Sequence, residues 1–162
     1  MTNYEIVDNF LDANVFLKIK NEILDFPYFP WFLNNSVSGQ KSNDGIYFTH
    51  IFLNDFEINS EKINILNPII DKLQFKKLIR IKANLYPKTD QLKIHNSHID
   101  FNVPHIGCIL YLNTNDGKTI INDEVEIDSI ENRMLFFEPH VPHKSTTCTT
   151  KDYRSNINFN YF

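Results

Sequence analysis

Cysteine is scarce in this chain: Cys108 and Cys148 are the only two in 162 residues. Two cysteines make no disulfide framework, and neither has the spacing of a metal knuckle, so a reducing, intracellular setting is expected. Positive charge is also in short supply. Sixteen Lys and Arg stand against twenty Asp and Glu, a net charge of −4, which argues against a global basic field that would recruit nucleic acid. Arginine is the rarer cation, present only as Arg80, Arg133 and Arg154. No run approaches the roughly eighteen apolar residues of a membrane helix. The opening MTNYEIVDNF lacks the basic and apolar regions of a signal peptide. These absences point to the cytoplasm. Four glycines leave most tight turns to Asn and Asp. There is no internal repeat and no low-complexity linker, so one domain over 1–162 is expected.

What is present is apolar and aromatic. Hydrophobic residues make up 42% of the chain and fourteen residues are Phe, enough for a sizeable core. The stretch 13–26 places Phe16, Ile19, Ile23 and Phe26 on one helical face. A second helix is expected from about Ser60 to Leu73, with Ser60 as N-cap and Pro68 as a kink. Between them PYFPWFLNNSVSGQKSNDG reads as an irregular loop, and FTHIFLND as a strand. From residue 78 the chain reads as strands separated by polar turns. Helical support over 1–77, then a β core over 78–162, suggests helices packed on a β-sandwich or barrel.

Three strands carry polar alternation. In LIRIKANLYP (78–87), Arg80, Lys82, Asn84 and Tyr86 share one face. In GCILYLN (107–113), Ile109, Tyr111 and Asn113 lie together. In YRSNINFNYF (153–162), Arg154, Asn156, Asn158 and Asn160 share a face, opposite Tyr153, Ile157, Phe159 and Tyr161. A polar face is ordinarily a solvated one. Turned into the mouth of a barrel, it would line a ligand cavity. Lys72, Lys76 and Lys77 read as a solvated helix end, and the aromatic run Phe26 to Phe32 as a core cap or a substrate lid.

The chemistry concentrates in His98-Ile99-Asp100, His143 and Arg154. Two imidazoles and a carboxylate with open positions opposite form the facial triad that holds ferrous iron in non-haem oxygenases. The tripeptide alone is weak. Arg154 sharpens it: the chance that a given histidine has an arginine eleven residues on is about 2%. His140 is the rival third ligand, but its matching position is Lys151. His50, His95 and His105 are expected outside the ligand set, with His105 the nearest to the pocket. A guanidinium beside such a triad can fork onto a dicarboxylic acid.

From Arg80 to Phe162, about half the chain, these motifs resemble the catalytic core of the Fe(II)/2-oxoglutarate-dependent dioxygenases. The nearest look is to the prolyl-hydroxylase-like branch and its short phage and bacterial forms. RIKANLYP resembles the strand before the first ligand, HIDF carries the His-x-Asp, and NRMLFFEPHVPHKSTTCTTKDYRSNINFNY resembles the closing segment. FPWFLNN with FTHIFLND more loosely resembles the front of the short phage forms. The resemblance implies a mainly β fold with flanking N-terminal helices, built as a double-stranded β-helix: a jelly roll, or cupin-like barrel. It implies iron ligation by His98, Asp100 and His143, and pairing of Arg154 with the distal carboxylate of 2-oxoglutarate. Tyr86 and Tyr111 match positions that reach the same co-substrate, and Asn84 and Asn156 join that set. Asn156 departs from the Ser or Thr common two residues after the arginine, but an amide also hydrogen-bonds a carboxylate.

The implied activity is hydroxylation of a substrate C–H bond, with O2 as second co-substrate, release of succinate and CO2, and stimulation by ascorbate. A peptidyl residue, foremost proline, is the leading substrate by analogy of fold. A free amino acid, another small metabolite or an alkylated nucleic-acid base would keep the chemistry and change the target. From another class, a non-oxidative metal-binding cupin would need the triad but not Arg154, and a jelly roll with a vestigial site would need neither.

Overall fold

The computed structural model describes residues 3–38 and 45–162, so residues 39–44 of the expected loop lie outside it. The chain opens with strand β1 (Tyr4–Val7) and helix α1 (Ala13–Ile23). Asp12 starts the helix by accepting from the backbone N–H of Asn14 at 3.0 Å and Val15 at 3.4 Å, the usual work of an N-cap carboxylate. Phe16, Ile19 and Ile23 are buried on its inner face, each contributing about 1.5–3 kcal/mol of apolar burial. Phe26 does not join them. The helix ends before it, because a residue preceding proline disfavours helical backbone. Phe26 instead meets Tyr153 edge to face, 5.6 Å between ring centres.

Strands β2 (Phe32–Asn34), β3 (Tyr47–Asn54) and β4 (Glu57–Ile58) follow. The second expected helix divides in two: a 3₁₀ segment over Glu61–Leu66, then the short helix α2 (Asn67–Ile70). Ser60 does cap it, accepting from Lys62 N at 3.3 Å. Pro68 stands in the first turn of α2, where a missing N–H is harmless, so it begins a helix and does not kink one. The remaining strands are β5 (Leu78–Pro87), β6 (Ile106–Tyr111), β7 (Lys118–Ile121), β8 (Val125–Asp128), β9 (Met134–Phe137), β10 (His143–Ser145) and β11 (Tyr153–Tyr161). Turns use Asn and Asp at positive φ: Asn122 and Asp123 between β7 and β8, and Asn132 before β9. These residues tolerate the left-handed region better than other non-glycine types.

The strands form an eight-stranded antiparallel sheet, in order β1-β9-β6-β11-β5-β3-β2 with β4 beside β3, and a separate sheet β10-β7-β8. This corrects the expected fold class. The jelly-roll barrel does not close; the result is a mixed sheet and helix fold with open edges. The reason lies in the connection between β5 and β6. It meets β10 and its flank through two isolated bridges, Ile94 to Thr146 and His98 to His143, and through scattered backbone bonds such as His95 N–H to Ser145 O and Thr147 N–H to Lys93 O, both 2.9 Å, not as a continuous strand. A continuous ladder there would have been needed to join the sheets. At the other edge, β8 exposes Glu126 and Asp128, which pair with Lys118, and edge charges discourage further pairing.

Layering positions the site. Ile81, Ala83, Cys108, Leu110, Ile157 and Phe159 pack with the helices in the main core. Period-2 alternation then sends Arg80, Lys82, Asn84 and Tyr86, with Arg154, Asn156, Asn158 and Asn160, to the opposite face, toward the small sheet. A second core cluster joins the sheets there: Ile109, Tyr111, Leu135 and Phe137 with Ile121 and Ile127. Both cysteines are buried and free. No helix among the described residues is long and apolar enough to cross a membrane.

Candidate metal and co-substrate site

The bridge between His98 and His143 builds the centre. Each backbone N–H donates to the other's carbonyl at 2.9 Å, which makes the two residues cross-strand neighbours with ring centres 4.5 Å apart. Asp100 is tied to the same turn by its N–H to Pro139 O at 2.9 Å. Its Oδ1 then lies 3.8 Å from His98 Nε2 and 3.9 Å from His143 Nε2. The three donor atoms all fall within 4.8 Å of one another. Ligands about 2.1 Å from one ion, at cis positions, stand roughly 3 Å apart, so a small side-chain adjustment closes the set. The donor chemistry also fits: two imidazoles and one carboxylate suit a first-row divalent metal and leave coordination positions open. His143 Nδ1 donates to Val141 O at 3.0 Å, which keeps the Nε2 lone pair turned inward.

Asp100 is clamped from behind. Arg80 Nη2 reaches Oδ1 at 2.7 Å, and Asn160 Nδ2 donates to Oδ2 at 2.9 Å. Arg80 Nε donates to Asn160 Oδ1 at 3.2 Å, and His105 Nε2 lies 3.1 Å from Asn160 Nδ2. Burial alone would raise the Asp100 pKa; Arg80 above all, with His143 and Asn160, outweighs it and holds the carboxyl well below the ordinary range. His98 moves the other way from charge. Burial first, and the neighbouring His143 second, lower its pKa to about 4 against the pull of Asp100. His143 is likewise lowered by burial. Both imidazoles are therefore neutral donors at pH 7.

This has a consequence for pH. An unfolded His98 titrates near its ordinary 6.5 and the folded one near 4. Between these values the unfolded chain binds more protons, so stability of the metal-free protein falls as pH drops through that window. NMR titration of the metal-free protein should show the His98 ring neutral until about pH 4. A midpoint near 6.5 would contradict the burial argument.

Arg154 is fully buried. Nε donates to Ser129 Oγ at 2.7 Å, Nη2 to Thr119 Oγ1 at 3.0 Å and Nη1 to Thr146 O at 3.5 Å. Its guanidinium carbon lies 5.3 Å from the Tyr86 ring centre and 5.7 Å from that of Tyr111. Among the described residues, no carboxylate pairs with it. Gly117 makes room for this arrangement: a Cβ there would sit 2.5 Å from Arg154 Cδ and 2.6 Å from Thr147 O.

One cavity, enclosing about 400 Å³ of empty space with its open mouth included, is lined by the triad together with Arg154, Tyr86, Asn156, Lys82, Thr119 and Ser145. The other two residues expected on the co-substrate sit one bond behind the wall. Tyr111 donates its hydroxyl to Thr119 at 2.8 Å, and Asn84 donates to Asn156 at 2.9 Å. Sequence reasoning did not assign roles to Thr119, Ser129, Arg80 or Lys82. The first two reach Arg154 only through tertiary approach. Arg80 and Lys82 were visible on the polar face of β5 but carried no motif.

The remaining histidines have other partners. His140 Nε2 stands 3.7 Å from Glu138. His95 bonds Ser145 and stacks on Tyr86, while His50 bonds Pro30 O and Ser60. His105 meets Asn160, the residue that holds Asp100 Oδ2. His140→Ala should accordingly leave metal affinity within about threefold, whereas His143→Ala should cost ten- to a hundredfold or more. Metal titration of both variants checks this, and the reverse ranking would move the third ligand to His140.

No family model matches the sequence, and no curated protein matches it. Solved structures do. A prolyl hydroxylase from Trichoplax adhaerens, in complex with a hypoxia inducible factor oxygen degradation domain peptide fragment, superposes with TM-score 0.71 at 17% identity, over 100% of this chain and 84% of that one. The viral collagen prolyl hydroxylase of Paramecium Bursaria Chlorella virus-1 gives 0.66 at 12% identity, over 97% and 94%. An oxidoreductase of the 2OG-Fe(II) oxygenase family from Burkholderia pseudomallei gives 0.73 at 10% identity, over 98% and 84%. The fold is thus that of the 2-oxoglutarate/Fe(II) oxygenases. Two of these three similar structures are prolyl hydroxylases; this chain carries a two-histidine, one-carboxylate cluster in its own cavity.

Proposed function

We propose that the protein is an Fe(II)- and 2-oxoglutarate-dependent dioxygenase that hydroxylates a C–H bond of its substrate. One observation carries the reading. A buried arginine with no carboxylate partner among the described residues opens onto the same cavity as a two-histidine, one-carboxylate cluster. A metal-binding cupin needs the cluster only. An unpaired buried guanidinium is costly unless a ligand supplies the anion, and a dicarboxylic co-substrate would supply it.

His98, Asp100 and His143 would hold iron on one face and leave the opposite face free. Arg154 would fork onto the distal carboxylate of 2-oxoglutarate, held flat by Ser129 and Thr119, with Tyr86 and Asn156 beside it in the wall. Iron and co-substrate, when bound, would supply the oxidising chemistry: 2-oxoglutarate, O2 and substrate R–H give succinate, CO2 and R–OH. The protein's share is geometry and exclusion of side reactions. Buried aromatic rings at Tyr86 and Tyr111 keep the Arg154 end of the cavity poor in water, where a charge-assisted pair is stronger.

For the substrate, the likeness of fold to prolyl hydroxylases favours a peptidyl residue, with proline first, and a free amino acid second. Ascorbate would assist by returning stray Fe(III) to Fe(II). Mass spectrometry of a peptide library and a cell lysate, each incubated with protein, Fe(II), 2-oxoglutarate and O2, tests the reading. A product gaining one oxygen atom, absent with Asp100→Ala protein, is the expected result. Equal products with both proteins would contradict it.

A further inference from the structure

Lys82 is a charged cavity residue that neither iron nor 2-oxoglutarate accounts for. It stands on the inner face of β5, lining the same cavity as the triad and Arg154. Among the described residues it has neither a salt bridge nor a hydrogen bond; its ammonium lies 5.8 Å from the centre of the Tyr47 ring. The nearest acid is already taken, since Arg80 and Asn160 hold the two oxygens of Asp100. Lys144, the other lysine in the wall, is paired with Asp123.

Register places Lys82 away from the Arg154 end. Arg154 lies opposite Tyr86, Asn156 opposite Asn84, and Asn158 opposite Lys82. Lys82 is therefore four residues along β5 from the Arg154–Tyr86 pair, roughly 13 Å of strand. That sets Lys82 apart from the Arg154–Tyr86 end, where the distal carboxylate of 2-oxoglutarate would be held. The charges agree with this separation. Among the described residues that line the cavity or back it, Arg80, Lys82 and Arg154 are opposed by Asp100 alone. Adding divalent iron and a divalent anion leaves that excess of positive charge unchanged. A half-buried ammonium in such surroundings is destabilised: loss of water and the neighbouring Arg80 lower its pKa to about 8 against the pull of Asp100. An anion beside it relieves both effects.

We infer that Lys82 forms an anion subsite for the prime substrate, which carries a carboxylate close to the C–H bond that is oxidised. The inference rests on the dioxygenase reading and narrows its substrate. Asn158, directly across from Lys82 and also in the cavity wall, offers an amide N–H to the same carboxylate. Two sources present this chemistry: the α-carboxylate of a free amino acid, or an Asp or Glu side chain within a peptide. A neutral prolyl peptide presents neither.

The experiment is anaerobic calorimetric titration of the Fe(II)·2-oxoglutarate protein with matched acid and amide probes. Free probes are L-proline and L-prolinamide, and L-aspartate and L-asparagine. Peptide probes are capped Gly-Pro-Asp-Gly and Gly-Pro-Asn-Gly. In wild-type protein at least one acid should bind about 10- to 100-fold more tightly than its amide, the usual worth of a hydrogen bond to a charged group. Lys82→Met, close in volume, should abolish that preference, and Lys82→Arg should retain most of it. Preference confined to free acids assigns the α-carboxylate; preference confined to the peptide pair assigns an acidic side chain. Absence of preference in every pair overturns the proposal without any variant. So does a preference that survives Lys82→Met, or a Lys82→Met loss of 2-oxoglutarate affinity as large as the loss for the acid. Failure of the underlying dioxygenase reading is recognised separately, as failure of 2-oxoglutarate to bind the Fe(II) protein before any probe is added.

Discussion

Arg154→Ala should weaken 2-oxoglutarate binding by some hundreds-fold or more, about 3–5 kcal/mol, the cost of leaving one member of a buried charge pair alone. Iron binding should be spared, because Arg154 touches none of the three proposed ligands. Its guanidinium donates to Ser129, Thr119 and the Thr146 carbonyl and lies beside the rings of Tyr86 and Tyr111. These groups orient the guanidinium without neutralising it, so most of its charge is available to a ligand. Arg154→Lys should recover only part of the affinity, since an ammonium cannot make the planar two-point contact and cannot satisfy Ser129 and Thr119 together. Calorimetry with 2-oxoglutarate and the Fe(II)-loaded variants measures both effects. Unchanged affinity in Arg154→Ala would favour a simple metal-binding protein.

Asp100→Ala should abolish iron-dependent turnover and lower metal affinity by at least a hundredfold, because it removes the only anionic ligand among the three. It should also destabilise the metal-free protein by about 3 kcal/mol, as Arg80 and Asn160 lose the acceptor they share. The two effects separate in Arg80→Met. That variant relaxes the clamp but leaves the ligand set whole, so it should retain far more metal affinity than Asp100→Ala. Metal content after dialysis and denaturant melts of the metal-free proteins provide the two readouts. Full iron occupancy in Asp100→Ala would remove Asp100 from the ligand set.

Much of this site was readable before any coordinates. His98 and Asp100 are two residues apart, and Arg154 follows His143 at a fixed offset along one short connection. Such local spacing survives whatever the rest of the fold does. Strands β5 and β11 were equally plain, because their period-2 alternation runs over nine or ten residues. The short elements were not. Strand β1 has four residues and pairs only with β9, and its sequence YEIV carries no alternation long enough to register. The hairpin of β7 and β8 is too short for its alternation to mark it, although Asn122 and Asp123 have the turn chemistry for it. Helix α1 stops at Ile23 although the helical period of the sequence runs on to Phe26, because the residue before Pro27 disfavours helical backbone. Closure of the barrel rested on resemblance alone, and it needed a continuous ladder over 88–105, where the backbone bonds are scattered and form only isolated bridges. Lys82 and Arg80 show a further limit. Alternation placed them on the right face, but only tertiary packing distinguishes the cation that holds Asp100 from the cation left facing the cavity.

The most direct test of the central claim is succinate formation from 2-oxoglutarate by the Fe(II)-loaded protein under ¹⁸O2, with the acid probes present and Asp100→Ala protein as reference. The account predicts succinate above the reference level, each molecule carrying one oxygen atom from O2, with CO2 released in equal amount. Iron and 2-oxoglutarate both bound, an acid probe bound beside them, and succinate no higher than in Asp100→Ala would contradict it.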